Sequence, residues 1–130
     1  MTGELCIRLE LTREDFALDV DLALPGQGIS VLFGPSGSGK TTLLRCVAGL
    51  EPPARGLVRI GGETWLDAAA GIDLPTWRRE LGYVFQEASL FEHLDVRRNL
   101  QYGLRRAAPT AGTDALARAI ALLGIGHLFY

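Results

Sequence analysis

Gly34-Pro35-Ser36-Gly37-Ser38-Gly39-Lys40-Thr41 is the stretch whose residue types and spacing could do chemistry, and that chemistry is the holding of a polyphosphate. It fits G-x-x-x-x-G-K-S/T, a pattern in which curled backbone N–H groups surround an anion. Glycines at 34, 37 and 39 permit unusual dihedrals and let the backbone approach closely. Lys40 would place a point charge between the β- and γ-phosphates, and the Thr41 hydroxyl is the expected ligand of a bridging Mg²⁺. A helix beginning near Lys40 would add unpaired amides and a positive dipole end. A dinucleotide pattern, G-x-G-x-x-G, fails, because Thr42 stands where the third glycine should be.

Positioning such a loop takes a strand before it and a helix after it. The apolar run Ile29-Ser30-Val31-Leu32-Phe33 predicts a buried strand, and Thr42 to Ala48 predicts a helix closed by Gly49. Upstream, Leu5–Leu11 and Phe16–Leu22 alternate with a period of two across a turn at 12–15, which predicts an antiparallel pair. Gly56–Ile60, Gly61-Gly62 and Glu63–Trp65 predict a short hairpin. Residues 67–74 are expected to form a loop, and Pro75 to open a short helix through Arg79. Gly82–Phe85 predicts a short buried strand ending at Gln86. Asp95 is suited to cap a helix reaching about Arg106, with Val96, Leu100 and Leu104 on one face. A linker over 107–112 precedes a last helix from Thr113 or Asp114, with Leu116, Ile120 and Leu123 aligned. The elements together predict a mixed α/β fold.

A length of 130 residues allows one domain, and 48% apolar residues are ample for its core. The formal net charge of −2 gives no general attraction to nucleic acid. Arg78-Arg79 and Arg97-Arg98 have no interleaved aromatics and read as solvated basic faces, so no nucleic-acid partner is expected. Cys6 and Cys46 suggest neither a disulfide framework nor a metal site, and Cys46 is expected to be a small buried thiol. Trp65 and Trp77 read as packing residues. No apolar run approaches the length of a membrane span, and Glu4 and Arg8 interrupt any signal-peptide pattern. The chain is therefore expected to be cytosolic.

Gln86 stands at the end of its predicted strand, about 45 residues beyond Lys40. Its amide could coordinate Mg²⁺ through oxygen or orient a water, or it could be an ordinary strand-end glutamine. Phe33-Gly34 through Arg45, then Ala48-Gly49-Leu50-Glu51-Pro52 with Gly56, then Tyr83-Val84-Phe85-Gln86, resembles the nucleotide-binding subunit of ABC transporters. The resemblance implies a P-loop NTPase fold with an N-terminal antiparallel β-subdomain, binding ATP and Mg²⁺. It implies that Gly34, Pro35, Ser36, Gly37, Ser38, Gly39, Lys40, Thr41 and Thr42 hold the phosphates and that Gln86, with Thr41, senses the metal and the attacking water. It implies that Phe16 is the candidate to stack on adenine, although a core phenylalanine on a strand is an equal reading. The implied partners are a transmembrane permease subunit, facing Glu87 to Leu94, and a second nucleotide-binding subunit paired across ATP. The implied place is the cytoplasmic face of the cell membrane.

Within that family, Gly71–Pro75 with Arg78–Phe91, and Val96–Leu104, look most like the ATPase subunit of molybdate and tungstate importers. The implied function is coupling of ATP binding and hydrolysis to uptake of molybdate or a similar oxyanion. Importers of sulfate, sugars, iron and polyamines share much of the pattern.

The family's L-S-G-G-Q signature, Walker B aspartate, catalytic glutamate and switch histidine do not occur in the 130 residues. His93 and His127 match no switch position and read as structural or solvated. Residues 1–130 are thus expected to be a partial nucleotide-binding domain, incomplete at the C-terminus, that hydrolyses ATP weakly or not at all. A non-hydrolytic nucleotide-binding module is the alternative. Without a Walker B strand beside it, Ile29–Phe33 is expected to present an unpaired apolar edge.

Overall fold

Alternation along the first 25 residues builds the frame on which everything else rests. The computed structural model describes residues 3–106 and 113–129, so the linker expected over 107–112 lies outside the described residues. The chain divides into two compact units, Met1–Tyr83 and Val84–Tyr130.

In the first unit, β1 (Glu4–Thr12) and β2 (Ala17–Pro25) form the antiparallel pair that the alternation predicts. β1 also pairs antiparallel with β3 (Arg55–Ile60), which pairs with β4 (Glu63–Asp67) through the Gly61-Gly62 turn. A two-residue strand, β5 (Ile72–Asp73), extends the sheet within the expected loop, and the strand order is β2-β1-β3-β4-β5. Ile7, Leu9 and Leu11 of β1 point inward and meet Leu18, Val58, Trp65 and Leu66 in one core. Alternate residues Arg8 and Glu10 face water. Between Val58 and Arg59 the β3–β4 register slips by one residue, leaving Trp65 as the extra residue of a bulge. That slip allows consecutive residues Trp65 and Leu66 both to be buried.

Helix α1 (Lys40–Ala48) lays Leu43, Cys46 and Ala48 on this core. Gly49 ends it with φ 82°, donating its N–H to Cys46 O, while Leu50 N–H reaches Arg45 O. Thr76–Arg78 form a single 3₁₀ turn behind Pro75, shorter than the helix expected there.

Four expectations are corrected. Ile29–Phe33 and Gly82–Phe85 are not strands: among the described residues no neighbouring strand supplies partners for their backbone groups. Ile29, Val31 and Phe33 are 94%, 81% and 96% exposed, the unpaired apolar segment anticipated without its strand geometry. Trp77, expected to pack, is 84% exposed, because the 3₁₀ turn directs it outward while Trp65 fills the core. Arg79, expected on a solvated face, is 4% exposed.

In the second unit, α2 (Val96–Arg106) begins at Asp95, whose carboxylate accepts from Arg98 N–H at 2.8 Å. α3 (Thr113–Leu123) and a 3₁₀ turn at Gly126–Leu128 follow. The Arg97 guanidinium lies 4.9 Å above the Phe129 ring and so ties α2 to the end of the unit. No helix among the described residues is long and apolar enough to cross a membrane.

Candidate phosphate-binding site

The glycine loop leaves the exposed residues 29–33 and enters α1 through two left-handed glycines, Gly37 (φ 79°) and Gly39 (φ 93°). A side chain at Gly37 would meet nothing within 4 Å, so its requirement is conformational. At Gly39 the requirement is double, because a Cβ there would lie 3.3 Å from both Phe16 Cε2 and Leu18 Cδ1. A Cβ at Gly34 would crowd Ser38 Oγ at 2.9 Å. The loop is closed by Ser38 N–H donating to Pro35 O at 3.2 Å.

Lys40 spans the loop it terminates. Its ammonium donates to Gly34 O, to Pro35 O at 2.8 Å and to Ser38 Oγ at 3.3 Å. The first backbone bond within α1 runs from Leu43 N–H to Gly39 O, and Gly39 offers no side-chain cap. The amides of Lys40, Thr41 and Thr42 therefore lack intrahelical partners and form the positive end of the helix dipole. Three amides without intrahelical partners, the Lys40 cation and the exposed Thr41 are suited to a multiply charged oxyanion.

Phe16 stands at the rim of this loop, half-buried, on the chain entering β2 and packed against the core. Gly34 to Thr42 and Phe16 are thus brought together in the first unit. Gln86 belongs to the second unit and is exposed on a bend that follows the non-strand residues 80–85. His93 and His127 lie in the second unit, both exposed, with the His93 ring edge-on to Phe91 at 5.9 Å.

The residue that sequence reading missed is Arg79. Its guanidinium, at the opposite end of α1 from the loop, donates to Val47 O at 2.8 Å, Cys46 O at 3.3 Å, Leu74 O at 2.7 Å and Asp73 Oδ1 at 2.9 Å. Burial lowers its pKa, and the Asp73 carboxylate opposes that shift. Adjacent charge gave no signal, since Arg78 beside it is exposed. Cys46 is buried as expected; burial pushes its thiol up, against the pull of the Arg13 and Arg45 guanidinium groups. Those two arginines share Glu51, with Arg45 Nε 3.7 Å from its carboxylate and Arg13 in direct contact.

Comparison with known proteins supplies the rest. A family model described as ABC transporter matches residues 18–129. The chain is 61% identical over 121 residues, 93% of its length, to the molybdenum import ATP-binding protein ModC 1 of Azotobacter vinelandii, covering 34% of that protein. It is 58% identical over 128 residues to the molybdenum import ATP-binding protein ModC of Thiobacillus denitrificans, with 97% of this chain and 35% of the relative covered. The corresponding protein of Pseudomonas fluorescens is 55% identical over 122 residues, with 94% and 34% covered. The chain spans about a third of the length of the curated relatives it matches.

Proposed function

The chain belongs to the ABC transporter family, and from that premise we propose that it is the ATP-binding portion of an import ATPase subunit that serves molybdate or a similar oxyanion. The observation that carries the reading is Lys40 held across a two-glycine loop at the uncapped N-terminus of α1.

In this reading the nucleotide triphosphate takes the place of the loop carbonyls as partner of Lys40. The amides of Lys40, Thr41 and Thr42 and the dipole of α1 meet the phosphate oxygens. Thr41 supplies a hydroxyl to Mg²⁺, and Gln86 is the residue that would offer it an amide oxygen. Among the described residues no three His, Cys, Asp or Glu side chains gather into a cation site, so the metal would arrive bound to phosphate. Magnesium, once bound, spreads the charge of the β- and γ-phosphates. Phe16, at the loop rim, offers its ring to adenine. The segment Glu87–Leu94, tied to α2 through Asn99, presents Leu90 and Phe91 to a permease subunit at the cytoplasmic face of the membrane. A second nucleotide-binding subunit would complete the site from across the nucleotide.

The 130 residues carry no L-S-G-G-Q signature and no apolar run ending in Asp-Glu to orient water, so these residues alone are expected to bind MgATP with little or no turnover. Titration of the chain with a fluorescent ATP analogue and Mg²⁺ tests binding. Saturable binding abolished by Lys40→Ala supports the reading, and absence of binding by the unsubstituted, folded chain overturns it. A phosphate-release assay on the same material tests turnover. For the substrate, uptake of molybdate against sulfate by a transporter assembled with the full subunit is the deciding measurement.

A further inference from the structure

We infer that Arg79 is a positioning residue for this phosphate site, acting through α1 from its far end. The proposal rests on the nucleotide reading above and deepens it.

The C-terminus of a helix leaves carbonyls without partners. In α1 the Gly49 turn satisfies Arg45 O and Cys46 O, and Val47 O receives Arg79 Nη1 at 2.8 Å. The same nitrogen also reaches Cys46 O. A buried cation at this end complements the negative pole of a helix whose positive pole carries Lys40, Thr41 and Thr42. The side chain is only 1% exposed, and its other two donors go to Leu74 O and Asp73 Oδ1. One planar group therefore joins the end of α1 to the β5 strand and the residue after it. The site is built to fit that group: a Cβ on Gly49 would come 2.8 Å from Arg79 Cζ and 2.9 Å from Thr76 Oγ1. Beyond Arg79 the chain is pinned once more, by Leu81 N–H to Arg79 O at 2.9 Å, before it runs to Gln86. α1 has nine residues, and its loop end has no side-chain cap. Its tilt over the sheet is thus set by the core contacts of Leu43 and Cys46 and by the Arg79 clamp. A lysine could reach one or two of these acceptors but not all four, because it lacks the planar fork.

The test compares Arg79→Met, Arg79→Lys and Ile7→Ala, the last a core substitution in β1 at a residue that is no hydrogen-bond partner of Arg79. MgATP affinity by fluorescent-analogue titration, well below each melting temperature, is read beside amide exchange. Arg79→Met is expected to weaken MgATP binding about tenfold and to raise exchange selectively over residues 43–48, while Ile7→Ala loosens the sheet and leaves affinity intact. Arg79→Lys should fall between wild type and Arg79→Met, and it replaces Arg79→Met as the probe if that variant does not fold. Affinity and α1 exchange indistinguishable from those of Ile7→Ala would overturn the positioning role. Failure of the unsubstituted chain to bind MgATP would overturn the nucleotide reading instead, and α1 exchange would then decide the clamp by itself.

Discussion

The ring of Phe16 lies against Gly39, so close that a methyl group on residue 39 would stand 3.3 Å from Phe16 Cε2. The turn between the first two strands is thereby in contact with the N-terminus of α1. The N-terminal sheet supports the glycine loop as well as preceding it in sequence. Gly39 also holds φ 93°, where an L side chain costs about 1–2 kcal/mol. Gly39→Ala is therefore expected to lower stability by that amount and to abolish MgATP binding, because the loop must reopen to relieve both strains. Gly37→Ala shares the dihedral cost without the contact, and should bind more weakly than wild type but better than Gly39→Ala. Urea unfolding and nucleotide titration on the two variants check the order.

Leu9 is 1% exposed at the centre of β1, where its neighbours across the sheet are Val20 and Gly56. Truncating it leaves a cavity that the closely packed Val58 and Leu66 cannot fill without moving. Leu9→Ala should cost about 2–5 kcal/mol, a large share of a small domain's stability. Denaturant titration followed by Trp65 fluorescence, in a Trp77→Phe background to remove the exposed indole, gives the value.

The elements that alternation and turn chemistry specify were legible. The β1–β2 pair, the Gly61-Gly62 hairpin, α1 ending at Gly49 and α2 starting at Asp95 each depend on contacts within about 20 residues, and each formed where expected. The conformation of the glycine loop was legible for the same reason, since the left-handed Gly37 and Gly39 and the helix start at Lys40 are set locally. What failed depends on partners remote in sequence. Ile29–Phe33 and Gly82–Phe85 are apolar enough for buried strands, but hydrophobicity states a demand for neighbours and not their presence. Arg79 was missed because a buried arginine is specified by carbonyls 32 and 33 residues away, which no charge pattern announces. Trp65 and Trp77 looked equivalent as residue types, and only the bulge in β4 separates them.

Asn99 holds the segment before α2 with both ends of its amide. Its oxygen accepts from Phe91 N–H at 2.9 Å, and its nitrogen donates to Phe91 O at 3.2 Å, Leu94 O at 2.9 Å and Asp95 O at 2.9 Å. The Phe91 ring is thereby kept 4.5 Å from Tyr102. Removing the amide leaves Phe91 N–H and Leu94 O without it, while Phe91 O and Asp95 O keep the N–H groups of Leu94 and Asn99, so Asn99→Ala should cost about 1–2 kcal/mol within the second unit. Amide exchange at residues 91–98 should rise while the β1–β3 sheet stays protected. Asn99→Asp retains the acceptor toward Phe91 N–H but loses the donors, and is expected to be nearly as damaging. An unchanged exchange pattern in both variants would show that the segment is held by its ring contacts alone.

Cys46 gives a pH dependence whose sign follows from its burial. The thiol is 1% exposed, and desolvation raises its pKa above the ordinary 9.0 despite the nearby Arg13 and Arg45. In the unfolded chain the same thiol ionises at its ordinary pKa, so at high pH the unfolded state loses this proton first. The stability contributed by the neutral buried thiol is therefore fully present below pH 9 and is lost as pH rises through the raised folded value. Cys46→Ala, which removes the titrating group at a small packing cost, should flatten the fall in stability between about pH 8.5 and pH 10. Thiol labelling gives an independent check. At pH 8 the half-buried Cys6 should react with an aromatic disulfide reagent in the native protein, whereas Cys46 should react only after denaturant is added. Native-state labelling of Cys46 at the rate of Cys6 would mean that α1 opens readily from the core, and the pH effect would then disappear with it.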